Sequence, residues 1–115
     1  MFKQKWLAAA IVGGMLLSLC PQITWAEGYT SAKLLAENAE AQKNFIEISL
    51  TMAGAVATQV KPEIARCLDD WFFKDAAKKP QRIEHILATM RQYPGYHPSG
   101  VLLGVIQQAC GSFKP

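Results

Sequence analysis

Pro62, Pro80, Pro94 and Pro98 constrain this chain more than any other feature, because proline opens a helix well and breaks one from within. Helical segments must therefore start or stop there. Upstream of Pro62, the stretch SAKLLAENAEAQKNFIEISLTMAGAVATQV (31–60) places apolar or small residues at three- and four-residue steps. They are Leu35, Ala39, Phe45, Ile46, Ser49, Met52, Ala53, Val56 and Val60, and they set the expected inward face of a helix. Thr30 or Ser31 is expected to cap it. A break is expected near Asn38 to Gln42, where the sequence is polar and no large apolar residue falls. Ala53-Gly54-Ala55 would let a neighbouring helix approach closely.

After Pro62, the residues Ile64, Cys67, Leu68, Trp71 and Phe72 form one face of a short helix that ends loosely in KDAAKKP. Pro80 opens the next, with Ile83, Ile86, Leu87, Met90 and Tyr93 on one side and Glu84, Arg91 and Gln92 on the other. Pro94-Gly95 ends it. Ser99 is expected to cap the last helix, whose inward face would be Leu102, Val105, Ile106 and Ala109, and Gly111 is a typical helix stop. No strand alternation and no internal repeat occurs. The expected fold is all-α, a small bundle of four or five short helices.

The first 26 residues read differently from the rest. Lys3 and Lys5 precede an apolar run from Leu7 to Cys20, and Thr24-Trp25-Ala26 offers small residues at the −3 and −1 positions of a cleavage site. This predicts a signal peptide over 1–26, cut between Ala26 and Glu27, ahead of a single domain over 27–115 in the periplasm. A membrane anchor needs about 20 apolar residues, more than this run supplies before Pro21 and Gln22. The exported form is thus expected not to be embedded in a membrane. Lipid attachment at Cys20 is disfavoured by the bulky Leu19 before it.

Removal of the signal leaves Cys67 and Cys110. In a small exported domain an even pair reads as a disulfide, and no CxxC motif accompanies them to suggest redox or haem chemistry. Such a bridge stabilises by about 4 kcal/mol in the chain-entropy picture. Ten basic side chains then face nine acidic ones, so no basic stripe exists to bind nucleic acid.

Catalytic signatures are missing as well. His85 lacks a second ligand at helical spacing, and His97 falls in a loop. Asp69 and Asp70, adjacent on a helix, point in different directions and cannot work as a facing acid–base pair. No GxSxG, HExxH, phosphate-loop or dinucleotide motif occurs in the exported part. The chain is therefore expected to be no enzyme and to need neither cofactor nor metal. Binding is the better expectation. Three successive rings, Trp71, Phe72 and Phe73, cannot all face inward at about 100° per residue, which leaves Phe73 for a partner. The knot YPGYHPSG, stiffened by Pro94, Gly95 and Pro98, would present Tyr93, Tyr96 and His97, either as a binding surface or over a hinge.

Several of these pieces occur together in a known pattern: Ser31 with Leu34-Leu35, TMAGAVAT (51–58), Cys67, and ILATMRQYPGYHPSGVLLGVIQQAC (86–110) closing on Cys110. The arrangement resembles the Rap/Tai-type immunity proteins, which protect bacteria from the peptidoglycan amidases of type VI secretion. The chain departs from that pattern at Asn38 and Ile48, where many relatives carry further cysteines. The resemblance implies a small exported helical inhibitor, bridged between Cys67 and Cys110, that occludes the cleft of a secreted peptidoglycan hydrolase. A homodimer is left open. The HdeA-like acid-stress chaperones are the competing class, and they would require buried or paired carboxylates for release by acid.

Overall fold

The computed structural model describes residues 28–114. The signal segment 1–26 and its cleavage site at Ala26 and Glu27 lie outside the described residues. Among those described there are five α-helices and no strand: α1 (Ser31–Leu35), α2 (Ala39–Val60), α3 (Pro62–Leu68), α4 (Lys79–Gln92) and α5 (Pro98–Cys110). No helix among the described residues is long and apolar enough to cross a membrane.

Local chemistry sets these limits. Thr30 caps α1 by accepting the Lys33 N–H at 3.3 Å, and Asn38 caps α2 by accepting the Ala41 N–H at 2.8 Å. The expected break thus falls at Ala36 to Asn38. Gln42 spans it, donating from Nε2 to the carbonyls of Leu35 and Glu37, each at 3.1 Å, and so satisfying the exposed end of α1. Pro62 and Pro98 take the first positions of α3 and α5, and Pro80 the second of α4. Gly111 ends α5 with φ 102°, a left-handed conformation that favours glycine.

α3 does not end loosely as the sequence suggests. It runs into a π-helical turn, Asp69–Phe73, closed by the Lys74 N–H on the Asp69 carbonyl at 2.7 Å. The wider turn swings Phe72 fully inward. Trp71 and Phe73 flank it half-buried, the Phe73 ring edge-on to Phe72 at 5.0 Å.

The core is one cluster in which Leu34, Ile46, Leu50, Ala57, Ile64, Leu68, Phe72, Ile86, Met90, Leu102 and Ile106 are essentially sealed from water. α2 packs mainly on α3, and α4 packs on α1 and α5. The disulfide Cys67–Cys110 joins α3 to α5 across a Cα separation of 5.7 Å. Lys61 ties down the tail, donating to the carbonyls of Ser112 and Lys114.

Three expectations about faces need correction. α2 turns Ile46, Leu50 and Ala57 inward, while Met52, Val56 and Val60 are 63%, 52% and 59% exposed. The helix is apolar on two sides, and α3 covers only one. Gly54 serves no close approach, since an added Cβ there would meet nothing within 4 Å. On α5, Val101 is buried and Ala109 is exposed, because the helix lies over α4 through its first three turns.

Candidate functional site

The turn Tyr93 to His97 is built onto α1. Its Pro94 carbonyl accepts the Ala32 N–H at 3.0 Å, and its Tyr96 carbonyl accepts both the Ser31 N–H at 2.8 Å and the Ser31 hydroxyl at 2.9 Å. These carbonyls satisfy the free amides that begin α1, and Tyr96 N–H closes the turn on the Tyr93 carbonyl at 3.2 Å. The knot is thus a turn hydrogen-bonded to α1. Ser31, the one polar side chain that is fully buried among the described residues, is its anchor. Ser31→Ala is expected to cost about 1 kcal/mol, since the Tyr96 carbonyl keeps its backbone donor. A shift of the denaturant midpoint measures it.

Anchored this way, the turn projects Tyr93 and Tyr96 together, ring centroids 5.6 Å apart and edge to face. They are 47% and 63% exposed, an unusual state for two large rings held in contact. His97 goes elsewhere. Its Nδ1 accepts the Ser99 N–H at 3.0 Å, so His97 caps α5 in place of Ser99, and its ring lies edge-on to Tyr29 at 6.2 Å. Burial, and then the nearby Glu37 charge, push the Tyr29 hydroxyl pKa up. Phe73 is also remote from the pair. It sits beside Lys79, whose Nζ is 5.8 Å from the ring at the start of α4, whereas Tyr93 follows the far end, roughly 20 Å along the helix.

The tyrosine pair forms the lip of a groove of about 740 Å3 between α4 and α5. His85, Thr89 and Gln92 line one wall, and Gln107 and Gln108 the other. Gly100, Val101, Gly104 and Val105 form the α5 side of the floor. Gly100 and Gly104 lie one turn apart inside α5, and a Cβ added at either would enter open space. Neither has a positive φ. Each glycine costs the helix about 0.5–1 kcal/mol relative to alanine, with no return in packing or backbone conformation. What they do give is room in the groove. The SGVLLGV spacing, two glycines one helical turn apart, is the trace of this opening in the sequence.

The walls hold no carboxylate, lysine or arginine, so the groove suits an uncharged segment met by rings, amides and hydroxyls. His85 faces it without a second ligand, and among the described residues no three His, Cys, Asp or Glu groups converge as a metal site would require. Asp69 and Asp70 are exposed and do not line the groove; Asp70 pairs with Lys74 at 2.9 Å and, through that hydrogen bond, raises the Lys74 pKa. Comparison of the chain with protein-family models, with curated protein sequences and with solved structures found no match. The Rap/Tai-type reading rests on the residues quoted for it.

Proposed function

We propose that this chain is an exported binding module that takes a loop of a secreted peptidoglycan hydrolase into the groove between α4 and α5. In the form that the Rap/Tai-type resemblance implies, it acts as an immunity protein by keeping that hydrolase from its substrate. The observation that carries the reading is the joint presence of two exposed, mutually supported tyrosines and two helix glycines that hold the groove open. Rings with few rotatable bonds bind at low entropic cost, and a turn hydrogen-bonded to α1 has little order left to lose. Rigid occlusion follows: a folded body whose lip is already formed blocks a cleft without rearranging.

The acid-release alternative finds less support. Every Asp and Glu among the described residues is exposed except Glu47, which is half-buried and ion-paired with Lys79 at 3.4 Å. Protonation therefore has no fully buried carboxylate to act on, and the pairs it would break, Asp70–Lys74, Glu84–Arg91 and the half-buried Glu47 with Lys79, are at or near the surface, where such pairs hold little.

The test is capture of secreted and periplasmic proteins of the host by the oxidised protein, compared with Tyr96→Ala and Gly104→Leu. A peptidoglycan hydrolase held in stoichiometric amount, with affinity reduced more than about 10-fold by either substitution, is expected. Leu at 104 projects into open space, so its melting temperature should not fall. Equal capture by all three proteins would remove the groove from the function.

A further inference from the structure

We infer that the groove between α4 and α5 ends in a carboxylate-binding site at Arg82, so that the segment it takes carries an aspartate or a glutamate. This rests on the groove reading above and adds the chemistry of what enters.

The groove does not stop at its His85 end. His85, Val105 and Gln108 also line an adjoining cavity of about 500 Å3, bounded on its far side by Trp71, Gln81 and Arg82. An uncharged channel thus meets one cation. Trp71 holds Arg82 there at two points. The Arg82 Nε donates to the Trp71 carbonyl at 3.0 Å, and the guanidinium carbon lies 4.9 Å from the centre of the Trp71 ring. These contacts fix a side chain that otherwise has several rotatable bonds, so it has less freedom to lose when an anion binds.

The guanidinium keeps donors to spare. Three cations among the described residues are half-buried, Lys61, Lys79 and Arg82. Lys61 donates to the tail carbonyls and Lys79 pairs with Glu47, whereas the two terminal NH2 groups of Arg82 meet no acceptor among the described residues. The acidic side chains of the neighbouring turns are committed elsewhere. Glu84 pairs with Arg91 and Asp70 with Lys74, and neither carboxylate lines the cavity.

The planar fork of a guanidinium matches the two oxygens of a carboxylate. Phosphate fits less well, because a dianion needs a second cation and the cavity has none. Gln81, His85 and Gln108, whose side chains make no hydrogen bond among the described residues, are left to meet the peptide groups beside that carboxylate. Arg82 and Tyr93 lie about three turns apart on α4, roughly 16 Å, which an extended chain covers in about five residues. The acidic residue should therefore stand about five positions from the side chain that packs on Tyr93 and Tyr96.

Nuclear magnetic resonance titration of the oxidised protein tests this, read at the Arg82 Nε–H and the Trp71 indole N–H. The probes are N-acetylglutamate methylamide, its glutamine counterpart and inorganic phosphate. The glutamate probe should bind at least about 5-fold more tightly than the glutamine probe, and more tightly than phosphate. Arg82→Gln should erase that preference. Gln108→Glu, an exposed change on the opposite wall that leaves the Arg82–Trp71 contacts in place, should erase it as well with no fall in melting temperature. A blocked peptide with a leucine about five positions from its glutamate should gain at least about 10-fold over the single glutamate, and Tyr96→Ala should remove that gain alone. Equal affinity for glutamate and glutamine overturns the carboxylate site, and phosphate as the tighter probe overturns its chemistry. A preference that survives Arg82→Gln overturns the residue. A preference that holds while the longer peptide gains nothing supports the site and counts against the groove reading, so the two fail separately.

Discussion

Phe72→Ala is expected to destabilise the protein by about 3–5 kcal/mol, the range for deleting a fully buried ring. The ring is sealed from water, meets Phe73 edge-on at 5.0 Å and lies 5.3 Å beneath the Lys79 ammonium. Its loss opens a cavity at the π-helical turn, where the backbone is poorly able to close in because the Lys74–Asp69 hydrogen bond fixes the wider winding. Against a total of about 5–15 kcal/mol for a domain, this is a large share. Guanidinium denaturation of the oxidised protein measures it, and the melting temperature should fall by roughly 12 °C or more at 4–8 °C per kcal/mol. Phe72→Leu, which keeps most of the volume, should cost under about 1.5 kcal/mol. A loss below 1 kcal/mol for the alanine variant would mean that the turn does not hold Phe72 in a packed core.

That turn also marks where sequence reasoning stops. Prolines at 62 and 80 mark where helices begin because the ring's missing N–H is tolerated only in the first turn, and the polar stretch from Asn38 marks the break before α2 because no large apolar residue falls there. These are local effects, legible in local residues. The direction in which α2 buries itself is not local. Phe45, Ser49, Met52 and Val56 recur at helical spacing as faithfully as Ile46, Leu50, Ala53 and Ala57, and periodicity ranks neither above the other. The reversal at Lys61 and Pro62 folds α3 back onto the second track and leaves Met52 and Val56 of the first in solvent, while Phe45 and Ser49 stay half-buried. Winding of a π turn likewise needs one extra residue per turn, a difference that a pattern of apolar positions over five residues cannot register.

For the site, the exposed Tyr96 is legible from the Pro-Gly knot, whereas Tyr93 falls in the sequence on the apolar side of α4 and is instead 47% exposed, and the groove is not legible because it arises from the crossing of α4 and α5. The capping role of His97 could have been read earlier. With Pro98 at the first helical position, the residue before it must be the cap, which excludes Ser99. At about 100° per residue one of three successive rings is left over, and the sequence offers Phe73 for that place. The structure instead gives two half-buried rings, Trp71 and Phe73, each beneath a cation: Arg82 over Trp71 at 4.9 Å and Lys79 over Phe73.

Removal of the Cys67–Cys110 bridge, by reduction or by Cys67→Ser with Cys110→Ser, is expected to cost about 4 kcal/mol through a different route from Phe72→Ala. Deleting the ring weakens the folded state. Opening the bridge releases a loop of 43 residues in the unfolded chain, so the denaturant slope should rise as well as the midpoint fall. The two losses should couple in the combined variant, because Cys67 lies five residues before Phe72 on one continuous helical run and the start of α4 lies beside the end of α5. The reduced protein should remain folded at room temperature, and hydrogen exchange should show where it has loosened. α5 is held at its start by the His97 cap and the turn on α1, and at its end by the disulfide. Without the bridge, protection should fall first in Gln107 to Cys110 and in the tail, while Val101 and Leu102 keep theirs. Since Gln107 and Gln108 form one wall of the groove, partner affinity should drop on reduction even where the melting curve shows a folded chain. Unchanged exchange at those residues would mean that core contacts alone hold the groove in shape.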